Sequence, residues 1–316
     1  MRRQAAVTHR CRWRAAVGRP PTVAWRACLL LALTCGSAWA EAAPADALRA
    51  RFDAVSAQPG LRISDRPVYM QSTEQPQRLQ GEVYALVDHP YAGLRAALAG
   101  AEAWCGILIL HLNVKYCRAS SGGAGPVLDV GLGRKFDEPL TGLHWLRFDF
   151  RVTRADDAHF ELDLRAPQGP LGTKDYRITV AAVPFDAGRS VLHLRYAYAY
   201  GTLARTAMQA YLATLGRDKT GFSVVGRRAD GAPLRVDGLR GVLERNTLRY
   251  YFAVEAYLGA RALPTEQQPR QRLHDWFSAT ERYPEQLHEM DRDTYVAIKL
   301  RELRRQAIER GWPRLN

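Results

Sequence analysis

Cysteine is scarce in this sequence, and the few cysteines that are present fall into two groups. Five occur in 316 residues, and three of them (Cys11, Cys28 and Cys35) lie within the first 40 residues. The other two, Cys105 and Cys117, enclose an apolar segment, WCGILILHLNVKYC. Because a CxxC arrangement and the close-set cysteine and histidine residues of a zinc site are both absent, redox and zinc chemistry are disfavoured.

The sequence also lacks the short motifs of the common enzyme classes. It contains no Gly-x-Ser-x-Gly elbow, no HExxH motif and no GxxxxGK[ST] phosphate-binding loop. Three other patterns have simpler explanations. Asp88 before a proline-initiated helix is typical of a turn or cap, and the alternating His159, Glu161 and Asp163 are typical of a charged strand face. The basic loop 216–228 is typical of a solvated surface. We therefore predict no catalytic residue, no cofactor and no metal ligand.

The first 40 residues have the pattern of a secretion signal. Seven arginines and no acidic residue precede the apolar stretch Ala27–Gly36, and Ser37–Ala40 ends in the small-x-small pattern that signal peptidase cuts. The apolar stretch is shorter than the roughly 20 residues that span a bilayer. We expect cleavage before Glu41 and an exported protein, either periplasmic or secreted. An uncleaved membrane anchor is the alternative.

Removal of this leader would lower the net positive charge of the protein and so weaken the argument for a nucleic-acid partner. The formal net charge of +13 falls to +6, because the seven arginines leave with the leader. The sequence pI near 9.8 would otherwise favour nucleic acid as a partner. We therefore predict no nucleic-acid partner, and an anionic lipid or another polyanion of the cell envelope is the candidate partner for the remaining basic surface.

In an oxidising compartment, Cys105 and Cys117 are expected to form a disulfide. A straight helix would separate their α-carbons by about 18 Å, whereas a disulfide needs about 4.4–6.8 Å. The chain must therefore reverse between them, most readily at His111–Val114, where Asn113 tolerates a turn. A pair of buried free thiols is the alternative.

The period of the hydrophobic pattern divides the remaining chain into helices and strands. Helical spacing predicts helices over residues 44–58, 90–98, 101–110, 202–215, 239–259, 267–280 and 293–310. Alternation of apolar and polar residues predicts antiparallel strands with one buried face over residues 144–152, 159–164, 175–182 and 191–200. Two further strands are expected over residues 78–87 and 127–133.

The apolar strand faces, together with one face of the helix after Gly201, form the candidate ligand-binding surface. The predicted ligand-binding residues are Leu146, Phe148, Phe150, Phe160, Leu162, Tyr196, Tyr198, Met208 and Tyr211. The tyrosines bring hydroxyl groups that need partners when they are buried, and a ligand or water in a cavity would supply them. An ordinary packed core is the other interpretation.

The order of the elements resembles that of the START-like helix-grip superfamily, which includes polyketide cyclases and plant allergens. Three segments between residues 78 and 216 carry the resemblance: GEVYALVDHPYAGLRAAL, AEAWCGILIL and YAYAYGTLARTAMQAYLATLG. The resemblance implies an α+β fold in which an antiparallel sheet curls around a helix. It also implies an apolar cavity between sheet and helix, where members hold lipids, sterols or aromatic polyketides.

We divide the chain accordingly into four parts. These are a signal peptide (1–40), an N-terminal helix with an extended lead-in (41–77), a START-like domain (78–226) and a C-terminal helical extension (227–316). The sequence departs from the superfamily in two respects, because the helix after Gly201 is short and about 100 residues follow it. The added helices would fill the cavity, cover it or form an interface.

These observations predict an exported, non-enzymatic protein that binds an apolar or amphipathic small molecule, a lipid or an aromatic compound. A cyclase-like or hydrolase-like enzyme of the same fold is one alternative, and it would need a histidine or aspartate pointing into the cavity. An interaction module of the cell envelope is another. It would use the C-terminal helices and an exposed apolar patch around Tyr250–Leu258.

Overall fold

The computed structural model describes residues 44–213 and 219–309. The predicted signal peptide with its three cysteines lies outside these residues, and so does the side chain of Tyr211. The helices are α1 (Pro44–Ser56), α2 (Tyr91–Leu98), α3 (Ala101–Leu108), α4 (Thr202–Ala213), α5 (Gly238–Gly259), α6 (Gln268–Thr280), α7 (Pro284–Leu287) and α8 (Arg292–Glu309). The strands are β1 (Val68–Gln75), β2 (Arg78–Val87), β3 (Val114–Gly122), β4 (Gly125–Leu132), β5 (His144–Ala155), β6 (Phe160–Gln168), β7 (Thr173–Pro184), β8 (Ser190–Tyr200), β9 (Val224–Arg227) and β10 (Pro233–Arg235).

Eight of these strands form one antiparallel sheet in the order β1-β2-β8-β7-β6-β5-β4-β3. Strands β3 to β8 follow one another as a meander, and the last of them returns to pair with β2. Helices α2 and α3 connect β2 to β3. This order confirms the predicted α+β class with an antiparallel sheet, and strands β9 and β10 form a separate hairpin.

The alternation seen in the sequence fixes which side of each strand is buried. Along β5, the side chains of Leu146, Phe148 and Phe150 are buried, and the residues between them are exposed. Phe150 pairs with Leu164 of β6, so the apolar faces of the two strands lie on the same side. A slip of one residue would have exposed the whole face.

The helix that packs against this face is α5. It contacts β1, β2 and β8 on one side and α3 and α6 on others. Fourteen of its 22 residues are buried, so the helix is enclosed on most of its circumference. Gly81 of β2 permits the close approach, because a Cβ atom there would lie 2.3 Å from Oγ1 of Thr247.

The packing of α5 against the sheet links the predicted C-terminal extension to the predicted START-like domain. A boundary at residue 226 would separate α5 from the sheet against which it packs. The lead-in 41–77 supplies β1, which extends the sheet beyond β2. The short helix α4 contacts β8, α5 and the 3-10 turn Pro170–Gly172.

Cys105 in α3 and Cys117 in β3 form the predicted disulfide, and their α-carbons are 5.2 Å apart. The chain reverses over residues 109–113, close to the predicted turn. The disulfide therefore joins a short apolar helix to the edge strand that follows it.

A buried ion cluster holds α8 to the same turn. Nζ of Lys299 donates to the carbonyl oxygens of His111 (2.8 Å) and Val114 (2.7 Å). The Glu302 carboxylate lies 2.9 Å from this ammonium group and 3.0 Å from Nζ of Lys115. The side chains of both lysines are 0% exposed and that of Glu302 is 1% exposed. The cluster therefore fixes the backbone of the turn that carries His111.

Helix α1 covers part of the opposite face of the sheet and forms a second, smaller core there. On that face the ring of His193 stacks on Tyr84 with centroids 4.2 Å apart, so His193 points away from the tyrosines of β8. Within residues 44–213 and 219–309, no helix is long and apolar enough to cross a bilayer.

Candidate ligand-binding cavity

A cavity of about 570 Å³ lies between the sheet and the helices α4 and α5. Small-molecule sites commonly have volumes of about 300–1,000 Å³. The apolar part of the wall comes from the sheet and from the surrounding helices, and it includes Leu108, Val130, Leu146, Phe148, Ile178 and Met208. The shape and the wall are those of a site for a small molecule with a substantial apolar part.

Five of the predicted ligand-binding residues line this cavity. They are Leu146, Phe148, Tyr196, Tyr198 and Met208. The side chain of Tyr211 is outside the described part of the chain. Contact between these residues and a ligand remains a prediction.

Phe150, Phe160 and Leu162 do not line the cavity, although they lie on the same face of the sheet. Phe160 and Leu162 are 0% exposed and belong to the packed core. The reason is their position along the strands. Phe160 pairs with Ala182, near the end of β7 that lies away from the cavity-lining Ile178, and α2 packs against β7.

Aromatic rings form one wall of the cavity. Tyr176 stacks on Tyr198 with ring centroids 5.3 Å apart, and Tyr196 meets Tyr250 of α5 edge to face at 5.1 Å. The hydroxyl of Tyr176 donates to Oγ1 of Thr173 (2.9 Å).

The other three tyrosine hydroxyls are available to a ligand. No described residue offers a hydrogen bond to the hydroxyl of Tyr196, Tyr198 or Tyr250, although all three side chains line the cavity. Burial raises the pKa of each of them, so they remain neutral at physiological pH. A neutral buried hydroxyl both donates and accepts, and a ligand or water in the cavity would satisfy it.

Helix α5 presents a polar face to the same cavity. Val242, Arg245, Asn246, Arg249 and Tyr250 all line it, and their spacing of three and four residues places them along one side of the helix. None of these five was among the residues predicted to bind a ligand. A signal in the sequence was the spacing of Arg245 and Arg249, which lie four residues apart and therefore on one side of the predicted helix 239–259.

The Arg249 guanidinium group is almost completely enclosed. One of its Nη atoms donates to the carboxylate of Glu289 (2.7 Å), and that carboxylate also bonds to the ammonium group of Lys135. The Arg249 side chain is 4% exposed. Its Nε has no hydrogen-bond partner among the described residues.

His111 reaches the cavity from the turn between α3 and β3. Its Nδ1 accepts a hydrogen bond from the backbone N–H of Asn113 (3.2 Å), and its ring stacks on Tyr250 with centroids 4.9 Å apart. Burial lowers the pKa of His111 well below its usual value, and Arg249 and Lys299 act in the same direction, whereas the Asn246 side chain acts in the opposite direction. The ring is therefore neutral with its proton on Nε2, which has no hydrogen-bond partner among the described residues.

The carboxylates of Asp88 and Asp163, which the sequence offered as candidates for other chemistry, do not line this cavity. The carboxylate of Asp163 is bound by Arg165, Arg177 and Thr179 on the other face of the sheet. Asp88 is exposed and pairs with Arg66. Among the described residues, no group of three or more histidine, cysteine, aspartate or glutamate side chains could hold a metal ion.

No protein-family model matches the chain, and a search of curated proteins found no match. Solved structures similar to it include norcoclaurine synthase from Thalictrum flavum, at 14% identity and a TM-score of 0.32, over 46% of this chain and 91% of that one. The Zhui aromatase/cyclase from Streptomyces sp. R1128 is similar at 11% identity and a TM-score of 0.34, over 60% of this chain and 92% of that one. A START superfamily protein from Mycobacterium smegmatis is similar at 12% identity and a TM-score of 0.29, over 44% of this chain and 92% of that one.

These identities and TM-scores are too low to transfer any property of those proteins to this chain. The arrangement of the elements is visible in the structure itself. A strand is followed by two short helices and a six-stranded meander whose last strand returns to the first, and a helix packs against one face of the sheet. The chain has the predicted helix-grip fold, with additional C-terminal helices.

Proposed function

We propose that this protein binds a small amphipathic molecule in the cavity between the sheet and α5, and that it does so after export from the cytoplasm. The observation that carries the proposal is a cavity of about 570 Å³ whose wall is largely apolar and includes the three unpartnered tyrosine hydroxyls. An apolar ligand body would remove this wall from water, at about 25 cal/mol per Å² of apolar surface buried. The hydroxyls would orient the ligand through hydrogen bonds.

Export is supported by the sequence of the leader and by the disulfide. The first 40 residues have the basic, apolar and small-x-small segments of a secretion signal. A disulfide persists in oxidising compartments and is rare in the cytosol. The intact mass of the protein purified from its host tests this part of the proposal. We expect a mature chain that begins at Glu41, and a chain that retains residues 1–40 would contradict it.

A cyclase-like enzyme is the second candidate, because His111 lines the cavity. The geometry favours binding over catalysis. Nδ1 already accepts the N–H of Asn113, so the neutral ring offers a donor at Nε2 and no free acceptor for the proton of a substrate. Mass spectrometry of a bound ligand before and after incubation separates the two functions, since an enzyme would change the ligand and a binding protein would return it unchanged.

Filling the cavity tests the binding site directly. Leu146→Trp would place a larger side chain in the cavity, whereas Arg147→Trp would place the same side chain on the exposed face of the same strand. We would titrate each variant with the neutral dye N-phenyl-1-naphthylamine, which fluoresces in apolar surroundings. We expect at least a tenfold loss of dye affinity for Leu146→Trp and less than a twofold change for Arg147→Trp.

The dye experiment has two results that would overturn the proposal. One is the absence of saturable dye binding to the folded wild-type protein. The other is an equal effect of the two substitutions, which would place the bound dye outside the cavity. Circular dichroism and the urea midpoint of each variant would establish that it is folded, so that a loss of binding reflects the cavity.

A further inference from the structure

The polar end of the cavity contains two buried N–H groups without partners. Nε of Arg249 and Nε2 of His111 have no hydrogen-bond acceptor among the described residues, and both side chains line the cavity. The two residues are 3% exposed each. A buried donor that finds no acceptor is destabilising, so a ligand with acceptor atoms at this position would stabilise the protein.

The two groups are also close to each other. Nη1 of Arg249 donates to the Asn246 side chain (3.3 Å), and Asn246 in turn influences the protonation of His111. Tyr250 stacks on His111 and brings its own unpartnered hydroxyl to the same region. The donors therefore converge on one end of the cavity.

Among the described residues that line the cavity, cations outnumber carboxylates. The cations are Arg134, Lys135, Arg245 and Arg249, and the carboxylates are Glu138 and Glu289. Glu138 is next to Arg134, and Glu289 is shared by Lys135 and Arg249. This excess of cations over carboxylates among the described lining residues favours a ligand that carries negative charge.

The surroundings of Lys219 agree with this excess. Burial lowers the pKa of Lys219, and the nearby Glu289 carboxylate raises it. Three nearby cations lower it further, namely Arg249, Lys135 and Arg245. A further cation thus lies close to this end of the cavity, and its ammonium group donates to the carbonyl oxygen of His288.

We propose that the ligand is an anionic amphipath whose single oxyanion head, a carboxylate or a phosphate, accepts hydrogen bonds from Nε of Arg249 and Nε2 of His111. Its apolar body lies against the aromatic wall and the apolar side chains of the sheet. This inference rests on the proposed binding function and adds the chemical class of the ligand. Charge-assisted hydrogen bonds of this kind are about twice as strong as neutral ones.

Three probes with the same chain and different heads test the inference. Dodecanoate, dodecyl phosphate and dodecan-1-ol would each displace N-phenyl-1-naphthylamine from the mature protein, below their micelle-forming concentrations. We expect at least one of the two anions to bind ten or more times more tightly than the alcohol. The better of the two anions identifies the head as carboxylate or phosphate.

Substitutions at the polar end provide the residue-level test. Asn246→Asp adds a carboxylate beside Arg249 and should weaken the preferred anion at least tenfold, with less than a twofold effect on dodecan-1-ol. Gln58→Glu makes the same change of charge at an exposed position two residues after α1 and serves as the control. Lys135→Met, at a half-buried position, should weaken binding of the anion several-fold and provides a second test if Asn246→Asp does not fold.

The failures of the two proposals are distinguishable. A protein that does not bind the dye contradicts the binding function itself. A protein that binds the dye but binds the alcohol as tightly as both anions, or is not displaced by either anion, contradicts only the anionic head. Equal effects of Asn246→Asp and Gln58→Glu on anion binding would also overturn the placement of the head at this end of the cavity.

Discussion

The buried cluster that anchors α8 gives a quantitative test of how the binding site is supported. The carboxylate of Glu302 serves two ammonium groups, those of Lys115 at 3.0 Å and Lys299 at 2.9 Å, and both lysine side chains are 0% exposed. Glu302→Gln keeps the shape of the side chain but removes its charge. Two enclosed lysines would then lose the carboxylate that they share.

The expected cost follows from this geometry. Removal of one partner from a buried ion pair destabilises proteins by about 3–5 kcal/mol, because the remaining charge is left uncompensated. A neighbouring ion pair on the same helix supplies the control. Arg301 pairs with Asp137 at 3.1 Å, but the two side chains are 52% and 50% exposed. Arg301→Gln should therefore cost less than about 1 kcal/mol.

Urea denaturation followed by circular dichroism measures both changes. We expect the free energy of unfolding to fall by about 3–5 kcal/mol in Glu302→Gln and to be nearly unchanged in Arg301→Gln. Dye affinity should fall as well in Glu302→Gln, because Lys299 holds the carbonyl oxygen of His111, whose side chain lines the cavity. If the two variants differ by less than about 1 kcal/mol, the cluster is not the anchor described above.

Three further predictions concern the disulfide, the pH dependence and the packing of α5. Replacing Cys105 and Cys117 together by alanine should lower the free energy of unfolding by about 3 kcal/mol, and a loss below about 1 kcal/mol in urea titrations would contradict it. Burial lowers the pKa of Lys299 to about 8 from 10.5, so the unfolded chain binds this proton more tightly. Stability should accordingly rise by about 2 kcal/mol from pH 8 to pH 10 relative to Lys299→Met, and parallel profiles would refute this. Gly81→Ala should cost about 1–3 kcal/mol, because the added Cβ meets Thr247, and an unchanged thermal midpoint would argue against this packing.

The strands of the meander could be predicted because their signal is local. Residues 144–152 and 191–200 alternate strictly between apolar and polar side chains, and the structure contains β5 and β8 there. Strand β3 was missed because Lys115, within it, is buried against Glu302 and breaks the apolar pattern. Its burial depends on α8, which lies almost 190 residues further along the chain.

The helix that fills the centre of the fold could not be identified from the sequence. The resemblance to the helix-grip superfamily pointed to the helix after Gly201, whereas α5 packs against the sheet. Helix α5 faces the sheet on one side, the cavity on another and other helices elsewhere, so its apolar residues do not form a single stripe. Without such a stripe, periodicity does not indicate which helix is central.

The candidate site was only partly predictable for a related reason. Alternation identifies the buried face of a strand but not the position along the strand where the interior is hollow. Phe148 and Phe160 both lie on the inner face, yet only Phe148 reaches the cavity. His111 and Arg249 were missed because tertiary packing brings them together from a turn and a helix that are far apart in the sequence.

The most direct test of the account is native mass spectrometry of the mature protein purified from its host, before and after extraction with organic solvent. We expect a one-to-one complex with a small anionic amphipath that is lost on extraction and is absent from Leu146→Trp. A wild-type protein that is empty, and that takes up neither N-phenyl-1-naphthylamine nor any component of a lipid extract, would contradict the proposed binding function.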